Sequence, residues 1–437
     1  MEQKWIKLGL DLGFSDVEIY LTNNKELSIE VYQGKVESLT TSNVKKAIIK
    51  GIYDEKLVRA STENLSDDNV LKIFMNLKEN AKALTVKEPA IIFEGSKEYP
   101  KIKENDFDFN QVTMDDKINY LIALEKNILK EEKVKQVEST YYGENYGETK
   151  IINSKGLNLF KKHNFAYSYA YAIFEDKGEV NVGFDIKLIK EFNELDPNKE
   201  ALNTINDGLS KLGGISLKTG KYETVFSSKT FTEMLSVFQN LFSGEEAYRN
   251  LTYFKDKKGE KIASSNVTLW DDPLNELAPF QHSFDDEGVA SFPKKIIDKG
   301  VFTGFLHDLK TASLFKETPT GNSFSGRISP ATLYLEPGNK SFDDLLKEIK
   351  NGFYVKDLVG LHAGVNTSSG DFSLQASGNY IKDGKLDHAV KMVVLSGNWF
   401  KLLNNIKDTA NDLKFEISGV GSPTINVGDL TISSDAK

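Results

Sequence analysis

The chain's 437 residues, 39% of them hydrophobic, exceed what one core usually encloses, so two or three domains are expected without covalent staples. With no cysteine, disulfides, thiolate metal ligands and cysteine nucleophiles are excluded. The net charge is -9 and the basic residues are scattered among acids, which argues against a nucleic-acid partner.

The first residues, MEQKWIKLGLDLGFSD, alternate charged and apolar side chains and form no hydrophobic signal region. No apolar run reaches the roughly 18 residues that a spanning helix needs, so no membrane role and a cytoplasmic location are expected.

Residues 1–86 read as a small α/β unit. Trp5, Leu8 and Leu12 recur at helical spacing, and Val17, Ile19 and Leu21 then alternate at strand spacing. Leu27, Ile29 and Val31 continue the alternation to a turn at Gln33-Gly34. KKAIIKGIYDEKLVRAST reads as a second hairpin. A helix follows, with Ser66 as its N-cap and Val70, Phe74, Leu77, Ala81 and Leu84 on one face.

Residues 87–112 carry Pro89 and Pro100, show no long periodicity, and read as a connection. Residues 113–221 read as a middle α+β domain. Its first helix carries Ile118, Leu121, Ile122, Ile128 and Leu129 as an apolar stripe. NFAYSYAYAIF then places Phe165, Tyr167, Tyr169, Tyr171 and Ile173 on one strand face, with small residues on the other. This aromatic row is expected to pack against a helix, a ligand wall being the alternative. Val180, Val182, Phe184 and Ile186 return as the next strand. The following helix has Asp196 as N-cap and Pro197 at N1. Leu202, Ile205, Leu209 and Leu212 point inward, and Gly213-Gly214 stops it.

Residues 222–437 are rich in short strands and turns and read as a third, antiparallel domain, barrel- or sandwich-like. SSKTFTEMLSVFQNLFSG supplies one helix, with Phe231, Met234, Leu235, Phe238 and Leu241 on its apolar face. SFDDLLKEIKNG supplies another, with Ser341 and Asp344 as a capping box. In SGDFSLQASGNYIKDGKL, a phosphate loop would have to open into a helix, but Phe372, Leu374 and Ala376 alternate at period two. Asp383-Gly384 suits a hairpin turn, so these glycines turn strands. The fold class is therefore α+β: two α/β units with antiparallel sheets and a β-rich C-terminal domain.

Several side chains could carry chemistry. Asp285, Asp286 and Glu287 offer the oxygen donors of a hard-cation site, but they lack the spacing of a calcium loop and read as an acidic turn. His307 and Asp308 are adjacent on one segment and so face opposite ways, which favours a structural hydrogen bond over a base with its orienting acid. TGNSFSGR forms a polar loop in which Arg327 could clamp a carboxylate or pair across a subunit interface, with an ordinary ordered loop as the alternative. His362 opens a Gly/Ser-rich stretch, and His163 and His388 read as surface residues. No serine-nucleophile elbow is present.

GLHAGVNTSSGDFSLQASGNYIKDGKL with LSGNWFKLLNNI resembles the C-terminal signature of the TldD/PmbA peptidase family. PFQHSFDDEGVASFPKKIIDKGVFTGFLHDLKTA, TGNSFSGR and SDVEIYLTNNKELSIEVYQGKVESL agree with it in the same order. The resemblance marks Asp285, Asp286, Glu287, His307, Asn322, Arg327, His362 and Asp371 as residues of substrate or interface segments, without assigned roles.

TldD-type members are zinc metalloproteases whose ligands are two histidines of one helix and a C-terminal cysteine, with a glutamate as base. The corresponding helix here, residues 230–242, has no histidine, since none occurs between His163 and His282. Glu233 is its only acid. No catalytic residue and no metal ligand is therefore expected in this chain. The departure resembles the PmbA (TldE) branch, which pairs with TldD. It implies a heterodimer, or else a homodimer, with zinc in a TldD-like partner and an extended peptide held by strand addition. The alternatives are an independent hydrolase using the Asp285 to Glu287 acids, and a homo-oligomeric peptide-binding protein. The family's older label, modulator of DNA gyrase, describes a downstream effect.

Overall fold

The computed structural model describes residues 2–85 and 88–434. Helix α1 (Glu2–Asp11) leads into three antiparallel strands, β1 (Asp16–Tyr32), β2 (Lys35–Tyr53) and β3 (Lys56–Thr62). Gln33 and Gly34 turn the first hairpin with φ of 51° and 69°, a conformation that glycine adopts without penalty. Helix α2 (Asp67–Ala83) starts at Ser66, whose side chain accepts the Asn69 N–H. It buries Val70, Phe74, Leu77 and Ala81, whereas Leu84 lies past the last turn and is exposed, contrary to the helical spacing.

The middle segment adds α3 (Met114–Ile128), β4 (Val134–Asn153), β5 (Asn158–Asp176), β6 (Glu179–Ile189) and α4 (Pro197–Leu209). β1 pairs with β4 from Glu18–Asn153 to Val31–Thr140, so residues from 1–86 and 113–221 share one six-stranded sheet, ordered β3-β2-β1-β4-β5-β6.

All four helices cover one face of this sheet. α1 and α2 pack over Val17, Ile19, Ile49 and Val58, and α3 and α4 over Ile29, Val31, Ala166, Ala170 and Ala172. The expected packing of the tyrosine row against a helix is thereby reversed, because the small residues of β5 face the helices. A helix approaches a sheet closely only over small side chains. A Cβ at Gly208 of α4 would stand 2.3 Å from the Phe174 ring. α4 accordingly turns Ala201, Thr204 and Gly208 inward and leaves Leu202 exposed.

The C-terminal region contains a closed five-stranded barrel. β7 (Gly220–Phe226) lies between Asn351–Val359, its parallel neighbour, and Ile425–Ser433. Asp371–Lys382 and Lys385–Asn398 continue from the first of these, and Leu395 pairs with Ile432 to close the ring. Closure removes the exposed edges of an open sheet. Asp383 and Gly384 make the hairpin turn with φ of 48° and 79°, and Phe372, Leu374 and Ala376 are buried as their alternation requires. Helix α5 (Ser228–Phe238) packs Phe231, Met234, Leu235 and Phe238 into the same core. A second six-stranded sheet of short strands completes the domain.

Candidate functional site

The uncovered face of the long sheet meets the C-terminal domain at one end. Even-numbered residues of β1 point there, and Tyr20 donates its hydroxyl to Asp286 at 2.8 Å. Burial, then the neighbouring Asp286 charge, raises the Tyr20 phenol well above its ordinary range. Asp286 also accepts the Ser325 N–H at 2.7 Å and lies 3.8 Å from Lys161 of β5. Lys161 donates to the Phe284 carbonyl at 3.0 Å and sits 4.6 Å from that ring's centre. Burial lowers its pKa. On β2, Lys50 pairs with Glu18 at 2.9 Å.

The other two acids of the cluster are spent on backbone. Asp285, fully buried, accepts the N–H groups of Ser323, Val289 and Glu287 at 2.9, 2.9 and 3.0 Å. Burial nevertheless pushes it up to about 6. Glu287 accepts the Leu309 N–H at 2.8 Å, at the start of the short helix Leu309–Phe315, and burial pushes it up to about 8. The acids thus tie a loop to its surroundings, and among the described residues no group of His, Asp and Glu is arranged to hold a metal ion. The connecting segment joins the same loop, since Tyr99 donates to the Gly288 carbonyl at 2.8 Å.

Away from this joint the same sheet face is open and aromatic. Tyr141 of β4 stacks on Tyr169 at 4.8 Å and on Tyr167 at 5.6 Å, and Phe184 of β6 lies 5.9 Å from Tyr169. Gly143 permits this layer, because a Cβ there would stand 2.7 Å from the Tyr167 ring. The rings cover one another where they stack, but each is half-buried or exposed, so the layer as a whole presents aromatic surface to a ligand.

The remaining sequence candidates separate into structural and exposed groups. His307 is buried, its Nδ1 3.2 Å from Thr311 Oγ1, and burial lowers its pKa. Asp308 accepts from the same hydroxyl at 2.7 Å, so the two neighbours meet through Thr311 and not directly. Asn322 is fully buried and donates to Asp271 at 2.7 Å. Arg327 and His362 are exposed. Asp371 lines a shallow cavity of about 620 Å³ with Asn366, Thr367 and Ser373, and an Asn398 hydrogen bond lowers its pKa. These residues do not form one site: Asp285, Asp286 and Glu287 lie at the interdomain joint beside the hairpin that carries Arg327, while Asp371 opens the barrel strand Asp371–Lys382.

Sequence reading missed Tyr20, Lys50 and Lys161. Their one local signal is polarity on alternate positions of strands whose other face is apolar. Asp286, which binds Tyr20 and neighbours Lys161, lies 266 residues beyond Tyr20, and Lys50 is paired with Glu18 on the adjacent strand.

A water-activating zinc ion needs imidazole, carboxylate or thiolate donors around an open position. The inward face of α5 offers Phe231, Met234, Leu235 and Phe238, with Phe238 stacked on Trp399 at 4.6 Å. Glu233 is the helix's only acid, lies 3.7 Å from Lys229, and is pushed up by burial. These residues do not fit zinc.

Models of the PmbA/TldA metallopeptidase match the chain in order: domain 1 over residues 17–81, the central domain over 107–211 and the C-terminal domain over 219–434. The chain is 27% identical over 419 residues to an uncharacterized protein of Methanocaldococcus jannaschii, covering 92% of each. It is 24% identical over 444 residues to a metalloprotease of that organism, covering 96% of this chain and 95% of that one. A Thermotoga maritima protein named as a modulator of DNA gyrase superposes with a TM-score of 0.90 at 29% identity, over 99% of both chains. TldE from Thermococcus kodakarensis shares the fold, with a TM-score of 0.87 at 23% identity over 99% of this chain and 100% of its own.

Proposed function

The chain belongs to the PmbA/TldD metallopeptidase family, and from that premise we propose that it is a PmbA-like, non-catalytic subunit of a cytosolic metallopeptidase. The observation that carries this reading is α5, whose inward face is packed with Phe231, Met234, Leu235 and Phe238 and carries no zinc donor. A TldD-like partner would then supply the metal and the hydrolytic water. This chain would hold an extended peptide, through backbone pairing on strand edges and contact with the tyrosine face of β4 and β5.

The test is affinity purification of the tagged chain from its own cells, with mass analysis of bound proteins and elemental analysis of the chain alone. Recovery of a histidine-motif relative, and peptide hydrolysis only when both chains are present, supports the proposal. Stoichiometric zinc and peptide hydrolysis by the isolated chain would overturn it.

A further inference from the structure

The chain has three arginines, and two of them lie at one hairpin, Arg327 within it and Arg59 against its Gly326. Arg249 is held by Glu245 at 2.7 Å. Arg59 and Arg327 are exposed, and among the described residues neither makes an ion pair.

Arg59 lies on β3, the edge strand of the long sheet. Its cross-strand neighbour is Lys50, followed on β1 by Glu18, so it projects from the face that meets the C-terminal domain. Its guanidinium sits over the tip of the 323–328 hairpin. A Cβ at Gly326 would stand 3.8 Å from Nη1 and 4.0 Å from Nη2.

Arg327 follows directly. It pairs across the hairpin with Phe324, so the two side chains share a face. Phe324 shows which way that face turns, because Lys161 of β5 lies 5.9 Å from its ring centre. The hairpin is also held in place: Asp286 accepts the Ser325 N–H at 2.7 Å and is itself held by Tyr20. The nearby acids are already engaged, Asp286 in those bonds, Glu287 with Leu309 N–H and Glu18 with Lys50.

Arg59 reaches the hairpin tip and Arg327 follows it directly, and with no acid among the described residues paired to either, the charges of the two guanidiniums favour an anion held between them. Their planar donor pattern matches a carboxylate. We propose that Arg59 and Arg327 form a fork that binds the C-terminal carboxylate of an extended peptide running along the free edge of β3. This rests on the peptide-holding role given above.

The test is a fluorescence-anisotropy titration of the full chain with three N-terminally labelled peptides of one neutral sequence. One ends in a free carboxylate, one in an amide, and one in an amide with a central glutamate. The free acid is expected to bind about tenfold tighter than the plain amide, with the glutamate peptide matching the plain amide. Arg59→Gln and Arg327→Gln should each weaken only the free acid, and the double variant should bind all three alike. Thermal melts confirm that the variants are folded.

Equal binding of acid and amide by the unaltered chain would overturn the fork while leaving the peptide role intact. So would variants that weaken every peptide equally. Tight binding of the glutamate amide would overturn the C-terminal assignment. A change in assembly mass with unchanged peptide binding would make the arginines subunit contacts and overturn the fork. If no peptide binds at all, the fork and the peptide-holding role both fail.

Discussion

Tyr20 on β1 and Asp286 in the C-terminal domain share a 2.8 Å hydrogen bond that ties the long sheet to the domain carrying the barrel. The carboxylate holds the Ser325 N–H with its other oxygen. Removing the hydroxyl in Tyr20→Phe leaves that second bond in place, so the expected loss is about 1–2 kcal/mol. Asp286→Ala strips partners from Tyr20, Ser325 and Lys161 together and should cost more. Urea denaturation reads both, and a larger loss in Tyr20→Phe would contradict the arrangement.

Glu287 gives the joint a pH dependence. Burial raises its pKa from the ordinary 4.5 to about 8, so between those values the folded chain holds a proton that the unfolded chain has released. Stability from this group is complete below its unfolded value and is lost as pH rises toward the folded one. The slope is at most about 1.4 kcal/mol per pH unit, the value of one proton. Glu287→Gln keeps an acceptor for the Leu309 N–H and should flatten the dependence. Melting temperatures from pH 5 to about 8 check this, and an unchanged slope in the variant would assign it to another group.

The core over α5 is tested by Phe238→Ala. This ring is fully buried and stacked at 4° on Trp399, so truncation leaves a cavity that rigid neighbours cannot fill. The expected cost is about 3–5 kcal/mol. Added zinc should leave the melting temperature of the unaltered chain unchanged, because the inward face of α5 carries no donor and its one acid, Glu233, faces Lys229.

Tyr169→Ala tests the open sheet face. The ring is half-exposed, so stability should change little, while the affinity for a labelled extended peptide should fall about three- to tenfold. Equal affinities would remove the tyrosine layer from the binding surface. Gly143→Val should have a similar effect by displacing Tyr167, whose ring would lie 2.7 Å from the new Cβ.

Local patterns in the sequence determined much of this protein. Ser66, Asp196 and Ser341 start the helices their side chains cap, and Asp383-Gly384 turns its hairpin, because these effects act within a few residues. Apolar alternation identified the buried face of the barrel strands, and that residues 230–242 contain no histidine is read directly from the sequence. Tertiary structure alone decided which face of β5 meets the helices. An alternating strand presents two usable faces, and the choice depends on how near α3 and α4 can come to alanine. It also decided what the acids of 285–287 do, because their partners come from β1, the 323–328 hairpin and the Leu309–Phe315 helix. Pairings across such separations are set by where whole elements pack, and no local spacing encodes that.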